Sequence, residues 1–133
     1  MVDAAIYKLI RMTGGVTASC TDPAAERALA EFLRTVPVGR GQFGINAFLD
    51  GYTDSLLTCG QAIGEILPAA GNREIAALLC GRVEDIDIRE GTTPGLYHLW
   101  PGRAGKWAAA CQNLLLFTPS SPEGTRPYGV SLL

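Results

Sequence analysis

The stretch from Phe43 to Leu67, FGINAFLDGYTDSLLTCGQAIGEIL, decides the fold because one periodicity replaces another inside it. Ile45, Phe48, Leu49, Tyr52, Leu56 and Cys59 recur at helical spacing and share one face of an α-helix that begins near Gln42. At Gly60 the period changes. Glycine is the favoured residue just past a helix C-terminus, and beyond it Ala62, Gly64 and Ile66 alternate with Ile63, Glu65 and Leu67. The sequence therefore predicts a long amphipathic helix that lies on something, feeding directly into a strand that pairs with the segment after it.

Upstream, residues 2 to 12 form a short helix with Ala5, Ile6, Leu9 and Ile10 on one face, ended by Thr13, Gly14 and Gly15. A second helix starts with Asp22 as N-cap and Pro23 at the first helical position, with Ala25, Ala28, Leu29, Phe32, Leu33 and Val36 along its apolar side. Pro37 stops it, and PVGRGQFG reads as a loop. Downstream, Pro68 to Arg73 is a hairpin connection in which Gly71 and Asn72 supply left-handed backbone, and residues 75 to 80 return as a strand. Val83 to Glu90 alternates as a half-buried strand, with Ile86 and Ile88 on one side and Asp85, Asp87 and Arg89 on the other. Further strands are expected at Leu96 to Trp100, Trp107 to Ala110 and Asn113 to Thr118. Helices first and a meander of strands afterwards define an α+β domain, its N-terminal helices packed on one side of a largely antiparallel sheet. After the polar loop PSSPEGTRP, the closing residues Tyr128 to Leu133 read as the start of a helix without a body, as in an excised piece of a longer protein.

Composition bounds the function. The chain has 133 residues, of which 47% are hydrophobic, enough for one domain with a real core. A net charge of -2 gives no global field to draw in nucleic acid or an acidic membrane surface. Met1 to Met12 lacks the apolar core of a signal peptide, and no apolar run reaches the roughly 18 residues of a membrane span, so a soluble intracellular protein is expected. Cys20, Cys59, Cys80 and Cys111 are far apart and, with His98 the sole histidine, they read as buried reduced thiols and not as a metal set.

Each candidate for chemistry has a structural explanation. His98 lies on an expected strand without a motif that places a nucleophile or carboxylate beside it. Glu84, Asp85, Asp87 and Glu90 form the solvent side of an alternating strand before they form a cation site. Gly39-Arg40-Gly41 lacks the lysine and the preceding strand of a phosphate loop. Cys59 falls on the apolar helix face, where burial suppresses a thiolate. Trp100 and Trp107 flank the basic turn GRAGK, which suits cross-strand packing of two aromatics and, secondarily, stacking on a base.

The ordered series of a long helix, the strand opening Gly60-Gln61-Ala62, a hairpin into Ile75 to Leu78, the strand Asp85 to Ile88, a tyrosine-bearing strand, the apolar Asn113 to Phe117, and a loop closing on Tyr128-Gly129-Val130-Ser131-Leu132-Leu133 resembles the N-terminal wing region of bacteriophage and prophage portal proteins. The resemblance covers roughly residues 40 to 133, with residues 1 to 39 as a helical lead-in. Its motif residues are Gly60, Ala62, Glu65, Tyr128, Gly129 and Ser131.

The resemblance implies a structural virion protein, without catalytic residues, cofactor or metal. Such a protein forms a homo-oligomeric ring, typically of about twelve copies, at the capsid vertex through which DNA is packaged and ejected. Terminase, scaffold, capsid and neck proteins are then the expected partners, and the virion, assembled in the bacterial cytoplasm, the expected location. The chain has no basic strip, so DNA contacts fall on no named residue. An alternative from another class is a small α+β enzyme or ligand-binding domain with a pocket between the helix at 43 to 59 and the sheet, using His98 and an acidic partner.

Overall fold

In the computed structural model the elements follow in the order α1 (Val2–Thr13), α2 (Pro23–Thr35), β1 (Pro37–Gly39), β2 (Gln42–Phe43), α3 (Ile45–Cys59), β3 (Gln61–Pro68), β4 (Ile75–Gly81), a 3-10 turn at Val83–Asp85, β5 (Ile86–Glu90), β6 (Tyr97–Pro101) and β7 (Leu115–Pro119). The structure describes residues 2–71, 73–90, 92, 97–101, 114–121 and 128–132, with only the backbone at 2, 90 and 97–101. The expected strand at 107–110, Trp107, the GRAGK turn, Cys111 and Asn72 lie outside the described residues, as do the side chains of Glu90, His98 and Trp100.

The architecture is α+β, with helices and antiparallel strands. Gly60 ends α3 with φ of 75°, the left-handed conformation that costs a side-chain-bearing residue most, and β3 begins at the next residue. β3 is central. It pairs antiparallel with β4, Ile66 opposite Leu78 and Gly64 opposite Cys80, and with β7, Gly64 opposite Leu116 and Ala62 opposite Thr118. The strands therefore do not form a simple meander: β5 and β6 make their own hairpin, and β7 returns to the far side of β3.

The registers divide the sheet into two faces. Ala62, Gly64 and Ile66 share one with Leu78 and Cys80, and α3 lies across it. The core there is Val36, Phe48 and Leu78, with Phe32, Val38, Ile45, Leu49, Tyr52 and Ile66 packed against it. Gly64 sits directly beneath Phe48: a Cβ there would lie 2.8 Å from Phe48 Cζ. Phe48 also stacks on Tyr52, ring centroids 5.5 Å apart, and the Tyr52 hydroxyl meets Thr118 Oγ1 at 2.8 Å, tying α3 to β7. Burial raises the Tyr52 hydroxyl pKa, and the bond to Thr118 opposes that shift.

Helix α2 forms as its sequence dictates, the Asp22 carboxylate accepting the Ala24 amide at 3.0 Å and Pro23 opening the first turn. Its apolar side is less covered than its spacing predicts. Ala25 and Ala28 are exposed and Leu29, Phe32 and Leu33 half-buried, while Val36, just past the helix, is buried. Among the described side chains of α1 only Ile6 and Ile10 are buried, one turn apart, and Leu9 from the expected face is 46% exposed. A narrow stripe suffices because α1 rests on α3 alone among the main helix contacts.

Four expectations are corrected. PVGRGQFG is a hairpin and not a loop: β1 pairs with β2 across Arg40 and Gly41, both at positive φ (52° and 73°), the backbone of a tight β-turn. The organising helix consequently starts at Ile45 and not near Gln42, since Gln42 and Phe43 are committed to that hairpin. Val83 to Asp85 is a 3-10 turn, so the strand begins at Ile86. Finally, residues 128–132 hold no helical turn; they run along the end of α3 and hydrogen-bond to its backbone.

Candidate functional site

Three of the six motif residues meet at the junction of α3 and β3. Every helix ends with carbonyls that have no partner inside it, and the last turn of α3 is no exception. Residues from the far end of the chain supply donors. The Leu132 amide donates to the Leu57 carbonyl at 3.2 Å, and the Ser131 hydroxyl to the Thr58 carbonyl at 2.6 Å. Below them the Ser120 amide, just past β7, donates to the Gly60 carbonyl at 2.7 Å, and the Val130 amide returns to the Ser120 carbonyl at 2.7 Å.

The two glycines make this approach possible. A Cβ on Gly60 would lie 2.6 Å from the Ser131 nitrogen, and one on Gly129 would overlap the Gly60 carbonyl oxygen and the Ser120 nitrogen. The obstructing atoms are all backbone atoms, without a side-chain rotor to turn aside, and two of them, the Gly60 carbonyl and the Ser120 amide, are hydrogen-bonded to each other. Gly60 and Gly129 thus permit the close backbone contact, and Ser131 adds a side-chain donor to it.

The remaining motif residues stand apart from this joint. Ala62 is fully buried under α3. Glu65 occupies the opposite face of β3, in register with Leu79 and Leu115, and burial in that apolar setting raises its pKa above the ordinary carboxylate value. Tyr128 is 49% exposed. Sequence reasoning did not single out Ser120, although its amide and carbonyl both serve the joint; a serine ending a strand carries no signal of that role. Gln61, next to Gly60, has its Oε1 buried without a hydrogen-bond partner.

The chemical candidates resolve into surface features where the structure describes them. Glu84 and Asp85 sit in the 3-10 turn and pair with Arg82, whose pKa the Glu84 hydrogen bond raises, and Asp87 pairs with Arg89 at 2.9 Å. No cluster of metal-ligating side chains occurs among the described residues. Gly39-Arg40-Gly41 forms the β1–β2 turn. His98 and Trp100 belong to β6, their backbones opposite Arg89 and Asp87.

The cysteines depart from expectation. Cys20 and Cys59 are exposed, not buried, and Cys80, exposed as a residue, has only its thiol partly covered. Cys59 continues the apolar spacing of α3 but is its last residue, at the reversal into β3 where the sheet no longer covers it. Cys80 keeps its Sγ toward the helix, donating to the Phe48 carbonyl at 3.4 Å; burial pushes that thiol pKa up, and the Arg40 guanidinium pulls against it.

No known family model and no curated protein matches this chain. The geometry of the joint therefore stands on its own as a backbone-to-backbone clamp. No helix of the described residues is long and apolar enough to cross a membrane.

Proposed function

We propose that this chain is a structural assembly module, the wing region of a phage portal ring, acting by packing and without chemistry. The observation that carries this reading is the joint: Gly60, Gly129 and Ser131, motif residues from two distant parts of the resemblance, converge on one contact with an evident mechanical role. Such a contact needs small size and a donor, and these residues have both. Exposed apolar side chains supply the second support. Tyr7, Leu9 and Met12 on α1, and separately Val16 and Phe43, are 46–73% exposed, the kind of side chain that a neighbouring subunit covers.

In this reading the ring partners are further copies of the chain, and terminase, capsid and neck proteins engage the assembled ring. Light scattering coupled to size-exclusion chromatography, with negative-stain imaging, tests it on the protein in solution. A closed ring of about a dozen copies is the expected result. A monodisperse monomer across the accessible concentration range overturns the proposal.

A further inference from the structure

We infer that residues 128–132 are a releasable strap, and that its opening frees the last turn of α3. This inference is independent of the assembly reading. The strap alternates along its length. Gly129 packs against Gly60 and Ser120, and the Ser131 hydroxyl holds the Thr58 carbonyl, whereas Tyr128, Val130 and Leu132 remain 49%, 50% and 64% exposed. Attachment thus relies on hydrogen bonds and backbone proximity, with little apolar side-chain burial. Segments of that kind open locally at the low end of the free-energy scale, well below global unfolding.

The closed joint also has a cost beside it. Gln61 Oε1 is buried without a donor, and an unsatisfied buried acceptor forfeits the hydrogen bond that water would give it. The carbonyls of Leu57 and Thr58 are released when the strap opens, because their donors are Leu132 and Ser131. β3 keeps its pairing with β4 and β7, which does not pass through the strap. Strap and helix end therefore open as one unit on a sheet that stays closed.

Hydrogen exchange followed by mass spectrometry tests this on the intact chain, comparing wild type with Ser131→Ala and Gly129→Ala. In wild type, peptides covering 55–60 and 128–132 should exchange with matching protection, both faster than 62–67 and 76–80. Ser131→Ala should accelerate both joint segments together by about 2- to 10-fold, the loss of one hydrogen bond, with 62–67 unchanged. Gly129→Ala, which blocks closure, should bring 128–132 close to unprotected exchange and accelerate 55–60, whose amides keep their partners inside α3, at least as much as Ser131→Ala does. The inference is overturned if Ser131→Ala accelerates 128–132 while 55–60 keeps its wild-type rate. It is equally overturned if the strap in wild type is as protected as central β3, which would mean that it opens only on global unfolding. Should Gly129→Ala fail to fold, the Ser131→Ala comparison decides alone.

Discussion

Replacing Gly64 by alanine tests the packing of α3 on the sheet with the smallest possible change. Position 64 has ordinary extended backbone, so alanine brings no dihedral strain, and restricting the unfolded chain would by itself stabilise the protein by about 0.4–1 kcal/mol. The new methyl, however, would lie 2.8 Å from Phe48 Cζ and 3.3 Å from both Phe48 Cε2 and Tyr52 Cε2. Phe48 is only 5% exposed and is wedged among Val36, Leu78 and the Tyr52 ring, so it has nowhere to move without shifting the helix. Overpacking of this kind costs about 1–3 kcal/mol. The clash outweighs the entropic gain, and Gly64→Ala should destabilise by about 1–2 kcal/mol. For a chain of this length the melting temperature then falls by roughly 4–8 °C. Urea denaturation gives the free energy. A double-mutant cycle with Phe48→Leu locates its source, because shortening the ring should remove most of the cost of the methyl. A neutral or stabilising Gly64→Ala, or strict additivity with Phe48→Leu, would refute the packing argument.

Asp22→Ala should destabilise the protein by about 0.5–2 kcal/mol, measured by urea denaturation, because the Ala24 amide loses its acceptor at the start of α2. Glu65→Gln should stabilise at neutral pH: the raised folded-state pKa means that ionised Glu65 opposes folding above that pKa, and the penalty fades as pH falls through it toward the unfolded value. The gain is below about 1 kcal/mol because the carboxylate is only partly buried, and a stability-against-pH curve should show the two proteins converging in acid. Thiol alkylation mapped by mass spectrometry should find Cys20 and Cys59 modified in the native state ahead of Cys80, whose thiol is held against Phe48 and raised in pKa. Faster modification of Cys80 than of Cys59 would contradict that geometry.

Much of the fold was legible because local rules and tertiary structure agree in places. Asp22 and Pro23 mark α2 unambiguously, and Gly60 marks the switch from helix to strand because only a residue at ease with positive φ ends α3 there. The β3–β4 hairpin follows from its turn. What stayed hidden depends on partners distant in sequence. β1 and β2 are too short to show alternation, and Arg40 at positive φ carries no signal in its residue type. Helical spacing ranked Leu9 and Cys59 with the buried face, but spacing says which side chains align and not how far the neighbouring element extends. At the site, Gly60, Gly129 and Ser131 could each be named as motif residues. Their meeting could not be read, since Gly-Val-Ser at the end of a loop looks like a helix start until the carbonyls of α3 are seen to receive its donors.

The position of β3 between an early partner and a late one sets an order of events during synthesis. β4 comes after β3 across a short turn, with Leu67 opposite Ala77, so this pairing forms at small loop-closure cost while the chain is still emerging. β7 reaches the other edge, with Glu65 opposite Leu115, only after the β5–β6 hairpin has been made. Until then β3, the most buried of the strands whose side chains are described, presents bare amides and carbonyls along one side, and α3 lacks its Tyr52–Thr118 tie. A ribosome pausing before residue 115 would hold out a sticky edge, and crowded expression would turn that interval into aggregation.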